Sequence, residues 1–178
     1  TIGPWSLRAA RRAIALAEEL ALPILTIVDT AGAELSAAAE EGAMAGEIAR
    51  CLADLMLVDV PTVSVLLGQG TGGGAIALLP ADRVIAAENA WVTPLPPEGA
   101  AAILYRDAAR APEMAAQQHI TAAALAVVGA VDVVVPESGD WAGSVGEQVA
   151  VAIGGVQRGP VEQRREARRH RWRALERA

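Results

Sequence analysis

The fold of this chain is decided by one stretch, Pro61-Thr62-Val63-Ser64-Val65-Leu66-Leu67-Gly68-Gln69-Gly70-Thr71-Gly72-Gly73-Gly74-Ala75. Its first part, Pro61–Leu67, is a continuous apolar run rich in β-branched residues, which predicts a buried strand. Its second part, Gly68–Gly74, has five glycines in seven residues and opens a short helix that must stop by Pro80. Backbone N–H groups at such a helix start are unobstructed and partly positive, so they can hold a phosphate or stabilise an anionic oxygen. Close packing of the helix on the sheet is the simpler explanation, but it needs fewer glycines, since each costs conformational entropy.

The same loop matches a dinucleotide-binding pattern that we reject. Gly68, Gly70 and Gly73 satisfy G-x-G-x-x-G, and Glu88 follows Gly68 by twenty residues. A crossover between parallel strands needs a helix of about a dozen residues. The next predicted strand begins so soon after the glycines that fewer than two helical turns fit, and the pattern is therefore a coincidence of spacing.

The sequence on both sides of this stretch alternates strands with helices. Further strands are predicted at Pro23–Val28, Arg83–Ala87, Trp91–Thr93 and Val131–Val135. Helices are predicted at Leu7–Leu20, Ala37–Val58, Glu98–Ala109, Glu113–His119, Thr121–Val128, Trp141–Ile153 and Val161–Arg177. This order predicts an α/β protein with a mainly parallel sheet. The irregular spacing of the later strands argues against a regular doubly wound sheet.

The composition removes several kinds of chemistry. All fifteen basic residues are Arg, so lysine Schiff bases, a phosphate-binding loop lysine and a lysine base are excluded. The single Cys51 can form neither an internal disulfide nor a cysteine zinc site, and we expect no metal and a reducing, cytoplasmic setting. No apolar run reaches the roughly 20 residues of a membrane span. The chain starts with Thr1 directly before a predicted helix, which suggests a piece of a longer polypeptide.

Four segments together resemble one enzyme family. Leu22–Ala33 is similar to a strand ending in Asp-Thr-Pro-Gly, Gly68–Ala75 to a glycine loop, Pro97–Tyr105 to a Pro-Glu-Gly segment, and Val131–Glu137 to a closing strand with Pro-Glu. In this order, over residues 5–158, they resemble the alpha subunit of bacterial acetyl-CoA carboxylase carboxyltransferase and the C-terminal half of single-chain acyl-CoA carboxyltransferases. Ala31 replaces the Pro of the first motif and Pro96 replaces a Ser before the third, which bears on substrate fit more than on reaction type.

This resemblance implies a fold and a set of site residues. The expected fold is the crotonase (ClpP-like) ββα superhelix, which assembles into dimers or larger oligomers. Residues 1–158 would form an alpha-type carboxyltransferase domain, followed by an Arg-rich helix over 159–178. In the family this half binds biotin and directs backbone N–H groups at its ureido oxygen. Carried over by position, the oxyanion hole falls on Gly74 and Ala75, then Gly73, and the binding residues on Gly72, Asp29, Thr30, Gly32, Glu98 and Gly99.

The resemblance also implies a reaction and partners. Carboxybiotin, on a separate carrier domain, would give up its carboxyl group to acetyl-CoA or another short acyl-CoA, and malonyl-CoA or a relative would form. The acyl-CoA half, or beta-type half, is not in this sequence, so we expect little activity from the chain alone and a strong tendency to associate. Alternatives are another crotonase-fold acyl-CoA enzyme, such as a hydratase or a decarboxylase component, and a non-catalytic scaffold. A hydratase would need an acid/base pair, and Glu98 has no obvious partner.

Each remaining polar candidate has a plain structural explanation. Asp29 and Thr30 can cap their own turn, and Glu98 can interact with the dipole of the helix it begins. His119 and His170 are predicted at the surface. The glutamates of the long predicted helix are predicted to form a solvated face, namely Glu40, Glu41 and Glu47.

The C-terminal segment is strongly basic. Residues 160–178 carry seven Arg and three Glu, or +4, so the rest of the −6 chain carries −10 and should not attract nucleic acid. The arginines flank Trp172, namely Arg164, Arg165, Arg168, Arg169, Arg171, Arg173 and Arg177. Interleaved glutamates favour an ordinary charged helix, and docking onto an acidic neighbouring subunit is the alternative.

Overall fold

The chain forms a parallel sheet between layers of helices. A computed structural model describes residues 1–175, with side chains over residues 1–172. Within this range the strands are β1 (Ile24–Thr30), β2 (Thr62–Thr71), β3 (Arg83–Ala87), β4 (Trp91–Thr93) and β5 (Val133–Val135). The described sheet has the order β1-β2-β3-β5, with β4 paired to the end of β2, and these pairings are all parallel. The predicted α/β class with a mainly parallel sheet is confirmed.

Helices separate the strands along the chain, except that β4 follows β3 after a short turn. Those that the structure describes are α1 (Pro4–Glu19), α2 (Ala37–Glu41), α3 (Met44–Leu57), α4 (Gly72–Ile76), α5 (Pro97–Tyr105), α6 (Ala111–Gln117), α7 (Ala122–Val127), α8 (Trp141–Val156) and α9 (Val161–Leu175). The helix predicted over Glu98–Ala109 is shorter, since Arg106 is left-handed (φ 56°) and ends α5. A 3-10 turn at Ala108–Arg110 follows, capped by the Asp107 carboxylate.

The central strand is buried on both faces. Val63 and Val65 pack with Ile85 under the apolar side of α8, while Leu66 packs on the other face with Val28 and Val84. A third cluster joins α1 to α3 and includes Leu7, Cys51 and Leu55. Burial on both faces is why Pro61–Leu67 reads as a continuous apolar run.

The first part of the glycine-rich segment, residues 68–71, is part of this strand and not a loop. We predicted that the strand ends at Leu67, but β2 continues to Thr71, with Gly70 paired to Thr30 of β1 and to Val92 of β4. A methyl group on Gly70 would lie 2.7 Å from the Val92 Cγ2 atom. Two neighbouring strands therefore supply the pairing that holds this segment extended, and only glycine fits between them.

The long helix predicted over Ala37–Val58 is two helices. Ala43, between α2 and α3, has a left-handed backbone (φ 62°). Arg8 Nη2 donates to the Gly42 carbonyl oxygen at 2.6 Å, and a methyl group on Gly42 would lie 2.9 Å from Pro4 Cγ. Contacts from α1 thus fix a break that the local apolar pattern does not contain.

The prediction for Glu47 was wrong. Glu40 and Glu41 are exposed as expected, but Glu47 is buried and pairs with three arginines, Arg8, Arg11 and Arg50, at 3.0–3.2 Å. Two of these arginines lie in α1, and the sequence alone does not show that α1 packs against α3 at Glu47. A carboxylate can be buried in a folded protein when cationic side chains pair with it.

The arginine-rich helix docks on the chain's own acidic residues. Arg168 is 1% exposed, with Nε 2.9 Å from Asp82 Oδ1 in an ion pair too bent for a hydrogen bond. Its guanidinium also donates to the carbonyl oxygens of Leu55 and Val58 at the end of α3. Burial lowers the pKa of Arg168, and the Asp82 charge opposes that shift. The helix is therefore more than an ordinary charged helix.

A second pair extends this docking surface. Arg171 donates to both carboxylate oxygens of Asp132 at 2.7 and 2.8 Å, and Trp172 packs against the core. The acidic partners predicted on a neighbouring subunit are thus found within the same chain. The side chain of Arg173 and the whole of residues 176–178, which include Arg177, lie outside the described residues.

The single cysteine should be chemically inert in the folded protein. Burial raises the pKa of the Cys51 thiol to about 11, and the Asp54 charge adds to the shift. At about pH 8 only ~1 thiol in 1,000 is then ionised, and the thiolate is the reactive form. We expect iodoacetamide to label Cys51 in guanidinium chloride but not in native buffer, as measured by mass spectrometry. Rapid labelling of the native chain would contradict this burial.

Candidate active site

The glycines form a turn where β2 becomes α4. Thr71 ends the strand, Gly72 adopts a left-handed conformation (φ 64°), and α4 starts there. The N–H groups in the first turn of a helix have no acceptor within it, and here these belong to Gly72, Gly73 and Gly74. Helix geometry directs the next N–H, that of Ala75, at the Thr71 carbonyl. The turn thus presents backbone donors without side chains.

A second loop is pressed against this turn. A methyl group on Gly74 would lie 3.1 Å from both Ala33 N and Gly32 C, and one on Gly32 would lie 3.1 Å from Thr71 O. Gly32 also has φ 114°, which L side chains rarely adopt. The structure therefore brings the two predicted segments, 29–32 and 72–75, into direct backbone contact.

Thr30 and Asp29 end on different faces of the sheet. Thr30 is buried, and its Oγ1 accepts a hydrogen bond from Gly32 N at 3.1 Å. Asp29 is exposed, and its Oδ1 accepts from Gln69 N at 3.0 Å. Successive residues of a strand point to opposite faces, so Asp29 lies on the side of Leu25, away from Gly74. Of the two polar residues, only Thr30 supports the glycine turn.

The segment leading into α5 borders the turn. The Pro94 carbonyl oxygen lies 3.7 Å from the position of a methyl group on Gly72, and Leu95 Cδ1 lies 3.8 Å from the position of one on Gly99. Glu98 is exposed in the first turn of α5. It lines a separate cleft of about 490 Å³ with Trp91 and Pro112. The Pro-Glu-Gly segment is therefore near the turn, but the Glu98 side chain borders another opening.

One residue at the turn was missed from the sequence. Ile48 of α3 packs on the backbone of Gly73, with its Cδ1 2.8 Å from the position of a methyl group there. An isoleucine in a helix gives no local signal of such a contact. His119 and His170 are exposed, as predicted.

The described residues contain neither a metal-ligand cluster nor a membrane-spanning helix. Across residues 1–172, no three His, Cys, Asp or Glu side chains gather as metal ligands. In the same part of the chain, no helix combines the length and apolar character that crossing a membrane requires.

Solved structures share this architecture. Transcarboxylase 12S with methylmalonyl-coenzyme A bound superposes with a TM-score of 0.75 at 24% identity, covering 86% of this chain and 31% of that one. A Pseudomonas malonate decarboxylase hetero-tetramer in complex with coenzyme A gives 0.78 at 20% identity, covering 98% and 77%. These likenesses define the class as a crotonase fold, as the sequence predicted.

Sequence comparison then gives the family. A family model described as acetyl co-enzyme A carboxylase carboxyltransferase-like matches residues 1–175. The chain belongs to this carboxyltransferase family, which confirms the resemblance seen in its motifs.

Curated relatives come from two kinds of carboxylase subunit. A probable biotin-dependent acyl-coenzyme A carboxylase beta3 subunit of Mycobacterium tuberculosis is 50% identical, over 98% of this chain and 37% of the relative. The acetyl-coenzyme A carboxylase carboxyl transferase subunit alpha of Mesorhizobium japonicum is 40% identical, over 86% and 49%. The chain thus spans about half or less of the length of the relatives it matches.

Proposed function

We propose that this chain is the biotin-side half of the carboxyltransferase of a biotin-dependent acyl-CoA carboxylase. The observation that carries the proposal is the glycine turn, whose backbone donors are held against the loop around Gly32 in a chain of this family. The proposed product is malonyl-CoA from acetyl-CoA, or the homologue from another short acyl-CoA. The alpha-subunit relative supports acetyl-CoA, and the acyl-CoA carboxylase relative supports a wider range.

The chain's own contribution is electrostatic. In the proposed hole, the N–H groups of Gly73 and Gly74 donate to an oxygen on which negative charge develops. One such donor contributes about 3–4 kcal/mol to catalysis. Ala75, also predicted in the hole, ranks behind them because its N–H is directed at Thr71, and its fully buried methyl group holds the turn in place. Such a site needs no side-chain base, which suits a chain without Lys.

The turn fits a biotin head group. When bound, carboxybiotin on its carrier domain supplies the carboxyl group. Biotin's ring is neutral and amide-like, and the turn offers amide donors with no side chain at Gly72 to obstruct a flat ring, whereas Ile48 occupies the space beside Gly73. Gly32 and Thr30 would shape the floor of the site and Gly99 its border, whereas the Glu98 side chain lines the neighbouring cleft. Asp29 has the weakest support among the predicted binding residues, since its carboxylate lies on the other face.

We also propose that this chain needs a beta-type half for a complete site, and that the open edge of the sheet, on the face away from Gly74, is part of the contact between the two halves. On the face that α8 covers over β2 and β3, the edge strand β1 exposes Leu25 (44%) and Ile27 (59%). Apolar side chains next to each other on a sheet are ordinarily covered by another element or another chain. The relatives' greater length supports a missing half as the chain that covers them.

Charge at this edge should weaken assembly. We expect Ile27→Glu to reduce co-purification with the beta-type half by about tenfold, because a carboxylate would be buried without a partner. Leu35→Glu is the control, since Leu35 is 92% exposed and outside the strands. The readout is size-exclusion chromatography with light scattering. If the Ile27→Glu protein assembles as well as the parent protein, the beta-type half does not cover this edge.

The reverse reaction tests the function. The chain, assembled with its beta-type half, should decarboxylate malonyl-CoA only when biotin is added. The carboxylated forms of propionyl-CoA and of longer acyl-CoAs, used as substrates in the same assay, test which acyl-chain lengths the site accepts. Decarboxylation without biotin would indicate a decarboxylase component instead. If a folded assembly is inactive with all of these substrates, the chain has the fold of the family but does not catalyse its reaction.

A further inference from the structure

A buried carboxylate lies between α1 and α3, outside the proposed oxyanion hole. The Glu47 side chain is 5% exposed and accepts from Arg8 Nε and Arg50 Nη1 at 3.0 Å and from Arg11 Nη1 at 3.2 Å. Burial by itself would raise the pKa of Glu47, but hydrogen bonds from Arg8 and Arg11 outweigh it and hold that pKa below its ordinary value. Glu47 is therefore ionised at neutral pH, and its oxygens are committed to α1.

The arginines extend this contact to both sides of Glu47. Arg8 also donates to the Gly42 carbonyl at the break before α3. Arg11 also donates to Asp54 Oδ2 at 2.6 Å, two turns further along α3. These directional bonds fix how α3 is rotated and how far it slides along α1, which apolar contacts alone leave free. These bonds therefore hold the first part of α3 rigidly against α1.

This helix is also the wall behind the glycine turn. Ile48, the residue after Glu47, packs on Gly73 where no side chain intervenes, so a shift of α3 reaches the Gly73 backbone directly. Donors in an oxyanion hole must be held within about 0.5 Å of their working positions. Glu47 is therefore connected to the proposed donors through its neighbour Ile48 and the contact of Ile48 with Gly73.

We propose that Glu47 is a positioning residue, which sets the glycine turn through Ile48. The proposal rests on the proposed function for its effect on catalysis, but not for its effect on the turn. Without the carboxylate charge, α3 keeps its apolar contacts with α1 and the bonds at Gly42 and Asp54 but loses the restraint at Glu47 itself, so the turn becomes more mobile while the fold persists.

The first test is amide hydrogen exchange in the assembled protein. In Glu47→Gln, exchange should accelerate in the peptide that contains Gly72–Ile76 and remain unchanged in the strands β3 and β5. Arg171→Met is the matched control, because it removes an ion pair with Asp132 that involves no residue of α1, of α3 or of the glycine turn. If exchange accelerates throughout the protein, or does not accelerate at the turn, Glu47 is an ordinary stabilising residue and the proposal is overturned.

The second test is kinetic. In Glu47→Gln, kcat for biotin-dependent decarboxylation should fall by about tenfold, with KM for malonyl-CoA within about twofold. Ile48→Ala should have the same effect, and the double variant should lose no more than the larger single loss, since both act through one contact. Additive losses, or an equal loss in Arg171→Met, would contradict the path through Ile48. An inactive parent would refute the proposed function, while hydrogen exchange would still decide the role of Glu47.

Discussion

Gly74→Val abolishes the biotin-dependent decarboxylation of malonyl-CoA by the assembled protein. We expect a fall of at least about 1,000-fold, the cost of losing one to two donors of an oxyanion hole. A side chain at position 74 would start 3.1 Å from Ala33 N and Gly32 C. Both are backbone atoms, which cannot rotate away as a side chain would, so the turn and the loop must separate. The hydrogen-bond donors of the turn then leave their positions.

A valine elsewhere separates this effect from general damage. Gly146 lies within α8, and a methyl group there has nothing within 4 Å. Gly146→Val should keep full activity, since it fills open space on an exposed helix position. Both variants are compared by circular dichroism and by binding to the beta-type half before the assay. A folded, assembled Gly74→Val protein that retains activity would show that the reaction does not use this turn.

Arg168→Met lowers the free energy of unfolding by about 3–5 kcal/mol, the cost of removing one partner of a buried ion pair. Asp82 would keep its charge with only the more distant Arg164, at 3.8 Å, to pair with it, and the carbonyl groups of Leu55 and Val58 would lose a donor. The midpoint of thermal unfolding should fall by about 10 °C. Differential scanning calorimetry of the assembled protein measures this change.

The neighbouring arginine is the control for charge. Arg169 is exposed on the same helix, so Arg169→Met should change stability by less than about 0.5 kcal/mol. Adding Asp82→Asn to Arg168→Met should restore part of the loss, because it removes a buried carboxylate that has lost its closer cation. Equal effects of the two arginine substitutions would mean that α9 is held by its net charge and not by the buried Arg168.

The sequence by itself determined the features that repeat locally. The apolar run Pro61–Leu67 is a buried strand wherever it lies in the sheet, because both its faces are covered. Closely spaced glycines between a strand and a short helix leave backbone donors free whatever surrounds them. The motif order could therefore give the family, the crotonase fold and the candidate turn without knowledge of any tertiary contact.

Only the tertiary structure decided which charges are buried and where elements end. Glu47 and Arg168 look like solvated helix residues, and each is buried because partners far away in the chain fold onto it, with Arg168 contacting Leu55 across 113 positions. Neighbouring strands extend β2 through Gly70, and α1 fixes the break at Ala43. Local periodicity records which face of an element is apolar, but the pairing of a buried charge depends on a contact that forms only in the folded chain.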